Sequence, residues 1–239
     1  GTKGMEDYLN WLRRMFKSQD GMRVFAGVYM TGILPVKKYK TQSAMNNFQE
    51  YSMVSPRSMD RYFGFTKDEV RALAEKYGMD FDELEKWYDG YQIGGQPSIF
   101  NPNSVMQALD SFWCENYWNR TGAVDAIAGY IQMNYEGLKD DIILMLAGGR
   151  CKVNPIGFRN DLSEIYDRDD VLTVLIHLGY LSYDRVTKEC YIPNLEVSYE
   201  MESAVKSNKW AGVVTALQAS EQLLQDTLNG DEEAVARAI

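Results

Sequence analysis

Two groups of carboxylates stand out as candidates for chemistry, because clustered acidic side chains can hold a cation. The first group is Asp80, Asp82, Glu83 and Glu85, and the second is Asp167, Asp169 and Asp170. Each group also stands at the start of a predicted helix, where carboxylates cap free N–H groups and interact favourably with the helix dipole. We therefore interpret both groups as helix starts and expect no metal site in this chain.

Residues for nucleophilic catalysis are sparse. His177 is the only histidine, and it lies in an apolar helical segment with no Ser or Cys beside it that would act as a nucleophile, so we expect a structural role. The three cysteines, Cys114, Cys151 and Cys190, are far apart along the chain and form no C-x-x-C pair. This pattern predicts reduced thiols rather than disulfides or a zinc site.

Short catalytic motifs are also missing from the sequence. It contains no G-x-x-x-x-G-K-[ST] phosphate loop, no H-E-x-x-H pair and no G-x-S-x-G nucleophile turn. We therefore expect no complete active site and no cofactor bound by this chain by itself.

The composition predicts a folded protein in the cytoplasm. The chain has 239 residues, of which 45% are hydrophobic and 13% aromatic. No apolar run reaches the roughly 20 residues of a membrane span, and the N-terminus lacks the apolar region of a signal peptide. The net charge of −9 makes non-specific binding of nucleic acid unfavourable, with the modestly basic residues 1–50 as the exception.

The N-terminal region predicts a helix followed by a strand. Residues 8–16 have apolar side chains at helical spacing, and the apolar, β-branched and aromatic run at 24–30 is typical of a buried strand. Thr31 follows directly, at the end of a strand where open α/β sheets bind ligands. A plain turn from strand to loop is the alternative for Thr31.

The middle of the chain, residues 65–118, predicts three short helices around a cluster of aromatic side chains. These side chains have two interpretations. They form either a surface that docks a protein or peptide, or the core of a helical domain, and we favour the core. The residues concerned are Trp87, Tyr88, Tyr91, Tyr117 and Trp118.

The C-terminal half predicts helices at 123–150 and 169–178, followed by a hairpin of residues 181–184 and 190–193. A helix followed by a two-stranded hairpin is typical of a winged-helix unit. The helix that would read DNA begins with Asp169 and Asp170, which repel phosphates, so we favour domain docking over DNA binding. Residues 195–239 are predicted to be helical.

Seven segments, in this order, resemble the bacterial AAA-ATPase-like proteins that carry a PD-(D/E)XK nuclease-like domain at the C-terminus. They are Y-M-T-G-I-L-P-V-K at 29–37, S-A-M-N-N-F at 43–48, F-G-F-T at 63–66, W-Y-D-G-Y at 87–91, N-P-N-S-V at 101–105, Y-W-x-x-T-G at 117–122 and I-P-N-x-E-V at 192–197. The resemblance runs from about residue 8 to the end of the chain.

The resemblance implies a fold that is mainly α with a small β component (α+β). It divides the chain into the end of a P-loop ATPase core, a helical lid, a winged-helix-like unit and a helical linker toward a further domain. These parts correspond to residues 1–60, 61–125, 126–200 and 201–239. The phosphate-binding lysine loop would precede this sequence and the nuclease active site would follow it. The chain is therefore expected to be an excised piece of a longer protein.

The same resemblance gives candidate nucleotide contacts. Thr31 would sense the γ-phosphate of ATP, and Asn46 and Asn47 would lie in the loop that follows. ATP and Mg²⁺ are implied for the parent protein rather than for this chain. The expected partners are the ATPase core and the nuclease-like domain of that same parent.

We therefore expect a module that couples an ATPase core to an effector domain and has no activity by itself. Whether the parent is an active enzyme stays open. One alternative is a protein- or peptide-interaction module that uses Trp87, Tyr88, Tyr91 and Trp118. A second alternative is a DNA-binding winged helix.

Overall fold

The computed structural model describes residues 2–32, 48–118, 137–158 and 165–207, together with residues 129, 135, 227 and 234. These residues form a mixed α+β structure with two small antiparallel sheets. The predicted α+β fold class is thereby confirmed. Asn46 and Asn47 lie outside the described residues. None of the helices described is long and apolar enough to cross a membrane.

Two helices begin the chain, α1 (Thr2–Lys17) and α2 (Gln19–Val24). Ser18 separates them and caps α2, because its hydroxyl accepts a hydrogen bond from the backbone N–H of Gly21 at 2.9 Å. Leu12 of α1 is buried, with 5% of its surface exposed. The helix predicted at residues 8–16 is confirmed.

The buried strand predicted at residues 24–30 is wrong. Val24 ends α2, residues 25–32 have no regular secondary structure, and Tyr29 is 85% exposed. A strand needs neighbours for its backbone N–H and C=O groups, and none of the described strands pairs with this segment. Thr31 is accordingly exposed and does not end a strand.

The first unit, residues 57–118, contains three helices and a three-stranded sheet. Its elements are a 3₁₀ turn (Arg57–Tyr62), β1 (Phe65–Thr66), α3 (Lys67–Tyr77), α4 (Phe81–Tyr88), β2 (Tyr91–Ile93), β3 (Gln96–Phe100) and α5 (Pro102–Ser111). The strand order is β1-β3-β2, all antiparallel. The three predicted helices are confirmed, whereas the sheet was not predicted.

The second unit, residues 137–207, follows a helix–strand–helix–hairpin order and ends in a further helix. Its elements are α6 (Leu138–Leu146), β4 (Cys151–Lys152), a 3₁₀ turn (Pro155–Gly157), α7 (Arg168–His177), β5 (Ser182–Asp184), β6 (Glu189–Tyr191) and α8 (Leu195–Ser207). The strand order is β4-β6-β5, all antiparallel. The predicted hairpin and the helix before it are confirmed.

Each unit has its own hydrophobic core. The first core is formed by side chains such as Val70, Leu84, Tyr88, Phe100 and Leu109. The second core lies between α6, α7, α8 and the β4-β6-β5 sheet, and includes Leu138, Ile142, Leu172, Leu181 and Met201. Helix α7 is buried at every position from residue 170 to residue 177, so this stretch offers no face for a DNA groove.

Candidate functional site

The two units meet where strand β2 of the first lies against strand β5 of the second. The Tyr91 hydroxyl donates a hydrogen bond to the carbonyl oxygen of Gly179 at 2.8 Å. Next to it, the backbone N–H of Gln92 donates to the Ser182 hydroxyl at 2.8 Å. Burial raises the pKa of Tyr91 well above its usual range, so this hydroxyl stays a hydrogen-bond donor. These contacts hold the two sheets in one relative position.

Gly90 lets the two backbones come into contact at this place. Its φ of 104° lies in the region that favours glycine, and a Cβ there would be 1.9 Å from the carbonyl oxygen of Pro193. The carbonyl oxygen of Gly90 also accepts a hydrogen bond from the Tyr191 hydroxyl at 3.1 Å. The W-Y-D-G-Y turn therefore docks directly onto the segment between β6 and α8.

A buried glutamate on α8 holds the end of the first unit. Glu196 is 0% exposed, and its Oε1 accepts hydrogen bonds from the backbone N–H groups of Tyr117 at 2.9 Å and Trp118 at 3.2 Å. Backbone donors in an irregular, buried segment need such a partner. Glu196 therefore supplies an acceptor for the backbone N–H groups of residues 117 and 118.

A second glutamate lies one helical turn further along α8. Glu200 is 2% exposed, and its Oε1 accepts a hydrogen bond from the side-chain amide of Asn116. The carbonyl oxygen of that same amide accepts the N–H of Trp118 at 2.9 Å. We call the set of Gly90, Tyr91, Asn116, Tyr117, Trp118, Glu196 and Glu200 the junction.

The electrostatics of the junction favour a bound proton. Burial raises the pKa of the Glu196 carboxyl, the hydrogen bonds that it accepts oppose this, and the nearby Glu200 carboxylate raises it further. Within the described residues, the second oxygens of both glutamates have no hydrogen-bond partner, and neither does the buried Tyr180 hydroxyl. Burial and the neighbouring carboxylate thus both disfavour the charged form of Glu196.

The aromatic side chains of the sequence prediction lie in the junction and the core beside it. Tyr88 is 0% and Tyr91 5% exposed, while Trp87 and Trp118 are half-buried. Trp118 stacks on Tyr180 with 4.9 Å between ring centroids. These rings pack against other parts of the protein, which favours the core interpretation, and the docking surface stays a prediction.

The structure brings Trp87, Tyr88, Tyr91 and Trp118 together but leaves Thr31 in the exposed segment 25–32, which is not part of the junction. Sequence reasoning gave no role to Glu196 and Glu200. A usable signal was present, because Val197, Met201 and Ala204 place an apolar stripe beside both glutamates on the helix. Acidic residues next to such a stripe are candidates for burial.

The two acidic groups have the capping role that the sequence predicted. Asp80 accepts a hydrogen bond from the N–H of Asp82, and Asp167 accepts one from the N–H of Asp170, both at 2.9 Å. Over the described part of the chain, no three His, Cys, Asp or Glu side chains are placed together to hold a metal ion. Cys114, Cys151 and Cys190 are free and buried.

Comparisons with known proteins show one distant relative. No family model matches the chain. It is 29% identical, over 215 residues, to the "Uncharacterized protein in vnfD 5'region" of Azotobacter chroococcum mcd 1. The match covers 85% of this chain, and it spans about 38% of that relative's length. No solved structure matches the chain.

Proposed function

We propose that this chain is a coupling module of a P-loop ATPase, which transmits the nucleotide state of the ATPase core to an effector domain. In this proposal the end of the core, a helical lid and a winged-helix-like unit follow one another along the chain. The chain does not hydrolyse ATP by itself, because it contains no phosphate loop. The junction between the two units is the observation that carries the proposal.

The junction joins segments that are distant in the sequence. Tyr117 and Glu196 are 79 positions apart, and Tyr91 and Gly179 are 88 positions apart. Three of the segments that resemble the ATPase family, W-Y-D-G-Y, Y-W and I-P-N-x-E-V, meet there. This convergence supports a role in which movement of the first unit is passed directly to the second.

The second unit supports the winged-helix part of the proposal. In our proposal its order of helix, strand, helix and hairpin, with β4 next to β6, corresponds to that of a winged helix. Helix α7, which would read DNA in such a unit, is almost entirely buried. A role in docking is therefore favoured over the alternative of a DNA-binding winged helix.

Thr31 lies in the exposed segment 25–32. In our proposal it contacts the nucleotide that the ATPase core binds.

The test compares the native protein with this chain. An antibody raised to the chain is used to isolate the native protein from its source cells, and its mass and Mg-ATP turnover are measured. We expect a mass far above 27.4 kDa and measurable turnover, whereas the isolated chain shows none. A native protein of 27.4 kDa without turnover would contradict the proposal. Turnover by the isolated chain that is lost in Thr31→Ala would also contradict it.

A further inference from the structure

Three sulfur atoms meet in the core of the second unit. The Sγ atoms of Cys151 and Cys190 are 3.4 Å apart. The Sδ of Met145 lies 3.8 Å from the first and 4.0 Å from the second. All three residues are buried, with exposed fractions of 5%, 0% and 2% for Cys151, Cys190 and Met145. We call these residues the sulfur triangle.

The fold places these residues together by two independent means. Cys151 and Cys190 are opposite one another in the antiparallel pair of β4 and β6. Met145 lies in the last turn of α6, and a tight turn in which Gly148 has a φ of 79° leads from this helix to β4. The next residue, Gly149, has no room for a side chain, because a Cβ there would be 2.8 Å from the carbonyl oxygen of Leu144.

The size of the triangle fits a metal ion. A point equally distant from the three sulfur atoms lies about 2.2 Å from each, close to the ~2.3 Å of a metal–thiolate bond. Thiolate and thioether ligands select soft ions, above all Cu(I), while structural Zn²⁺ takes four ligands. We propose that Met145, Cys151 and Cys190 bind one Cu(I) ion in a three-sulfur site.

Cu(I) binding releases protons and involves no electron transfer. The two thiols lose their protons to the solvent, two copper–thiolate bonds and one copper–thioether bond form, and copper remains Cu(I). The complex then carries one negative charge. The Arg168 guanidinium lies beside the site, because it donates a hydrogen bond to the carbonyl oxygen of Lys152 at 2.9 Å. The same guanidinium also pairs with Asp141 and Asp169, so its positive charge is shared with two carboxylates.

The sheet offers the ion a route inward. Strand β4 is at the edge of the β4-β6-β5 sheet, and it is only two residues long. Opening an edge strand breaks the pairing on one side only, so it costs less than opening a central strand. The copper site is independent of the proposed coupling function. It differs from the sequence-based expectation that the chain has no metal site.

The test is an anaerobic titration of the 239-residue chain with Cu(I) in competition with a coloured Cu(I) chelator. We expect one Cu(I) per chain. Cys151→Ser and Cys190→Ser should each lower the affinity at least about 100-fold, and Met145→Leu about 10-fold. Cys114→Ser is the matched control, because Cys114 is a buried cysteine in the other core. It should leave the affinity unchanged.

A second measurement does not depend on the variants folding. X-ray absorption of the Cu(I)-loaded wild-type chain should show a shell of three sulfur atoms. A nitrogen or oxygen shell, an equal loss of affinity in Cys114→Ser, or no uptake of Cu(I) from the chelator would each overturn the proposal. Formation of a Cys151–Cys190 disulfide in place of a copper complex would overturn it as well.

Discussion

The Glu196 carboxylate accepts a hydrogen bond from the backbone N–H of Tyr117 at 2.9 Å, although the two residues are 79 positions apart in the sequence. Through this hydrogen bond and the neighbouring one from Trp118, a helix of the second unit holds the end of the first. One buried side chain therefore contributes directly to the docking of the two units. The predictions below test this contribution and those of Gly90 and Tyr91.

Glu196→Ala should lower the free energy of unfolding by about 1–3 kcal/mol, because it leaves the buried N–H of Tyr117 without its acceptor and removes one of the two acceptors of the Trp118 N–H. Glu196→Gln retains the carbonyl oxygen as an acceptor, so it should be at least as stable as the wild type at pH 7. Urea unfolding followed by tryptophan fluorescence measures both. Glu75→Ala, at an exposed position of α3, is the control and should change stability little. Equal losses in Glu196→Ala and Glu75→Ala would argue against the role of Glu196.

The pH dependence of stability follows from the raised pKa of Glu196. In the folded chain this pKa lies above its ordinary value of 4.5, because burial disfavours the charged form. The protonated Glu196 carboxyl contributes its full stability below the pKa that Glu196 has in the unfolded chain. This contribution is lost as the pH rises through the pKa that Glu196 has in the folded chain.

This effect is measured as the difference in unfolding free energy between wild type and Glu196→Gln, recorded from pH 4 upward. The wild type should become less stable relative to the variant as the pH increases. Titrating groups that do not interact with Glu196 cancel in this difference. A difference that does not change with pH would mean that Glu196 titrates normally.

Gly90→Ala should disrupt the docking of the first unit onto the second. The new Cβ would overlap the carbonyl oxygen of Pro193, and the backbone would keep a φ that alanine disfavours. We expect a loss of about 3 kcal/mol or more. Gly78→Ala is the matched control, because Gly78 has a φ of 72° with no atom within 4 Å of the added Cβ. It should cost only about 1 kcal/mol, and an equal cost at both positions would exclude the proposed overlap.

Tyr91→Phe removes a single hydrogen bond between the units. The Tyr91 hydroxyl donates to Gly179 at 2.8 Å, and its loss leaves a buried carbonyl oxygen without that donor. Thermal unfolding should show a loss of about 1 kcal/mol. Tyr62→Phe, at a position that is 71% exposed, should change nothing. An unchanged midpoint for Tyr91→Phe would show that this bond does not hold the units together.

Helices were predicted well where their starts carry local signals. Thr66 and Glu69 form the capping box before α3, and Asn101 caps α5 by accepting the N–H of Asn103 at 3.1 Å. Such signals depend only on residues within one turn. The β2–β3 hairpin was missed, although the Gly94–Gly95 pair at its turn was a signal.

The errors arise where structure depends on distant residues. The segment at 24–30 has a strand-like composition, but composition does not supply the neighbours that a strand needs. The junction was not predictable for the same reason. Glu196 is an acidic residue on a predicted helix, and only the fold shows that residues 117 and 118 lie against it.

The measurement that tests the central claim most directly is hydrogen exchange at the junction. Peptides that contain residues 116–118 should exchange as slowly as those from helices α4 and α8 in the wild type. In Glu196→Ala they should exchange much faster, while peptides from α3 remain protected. Fast exchange of residues 116–118 in the wild type, at the rate of an exposed loop, would contradict the claim that Glu196 holds the two units together.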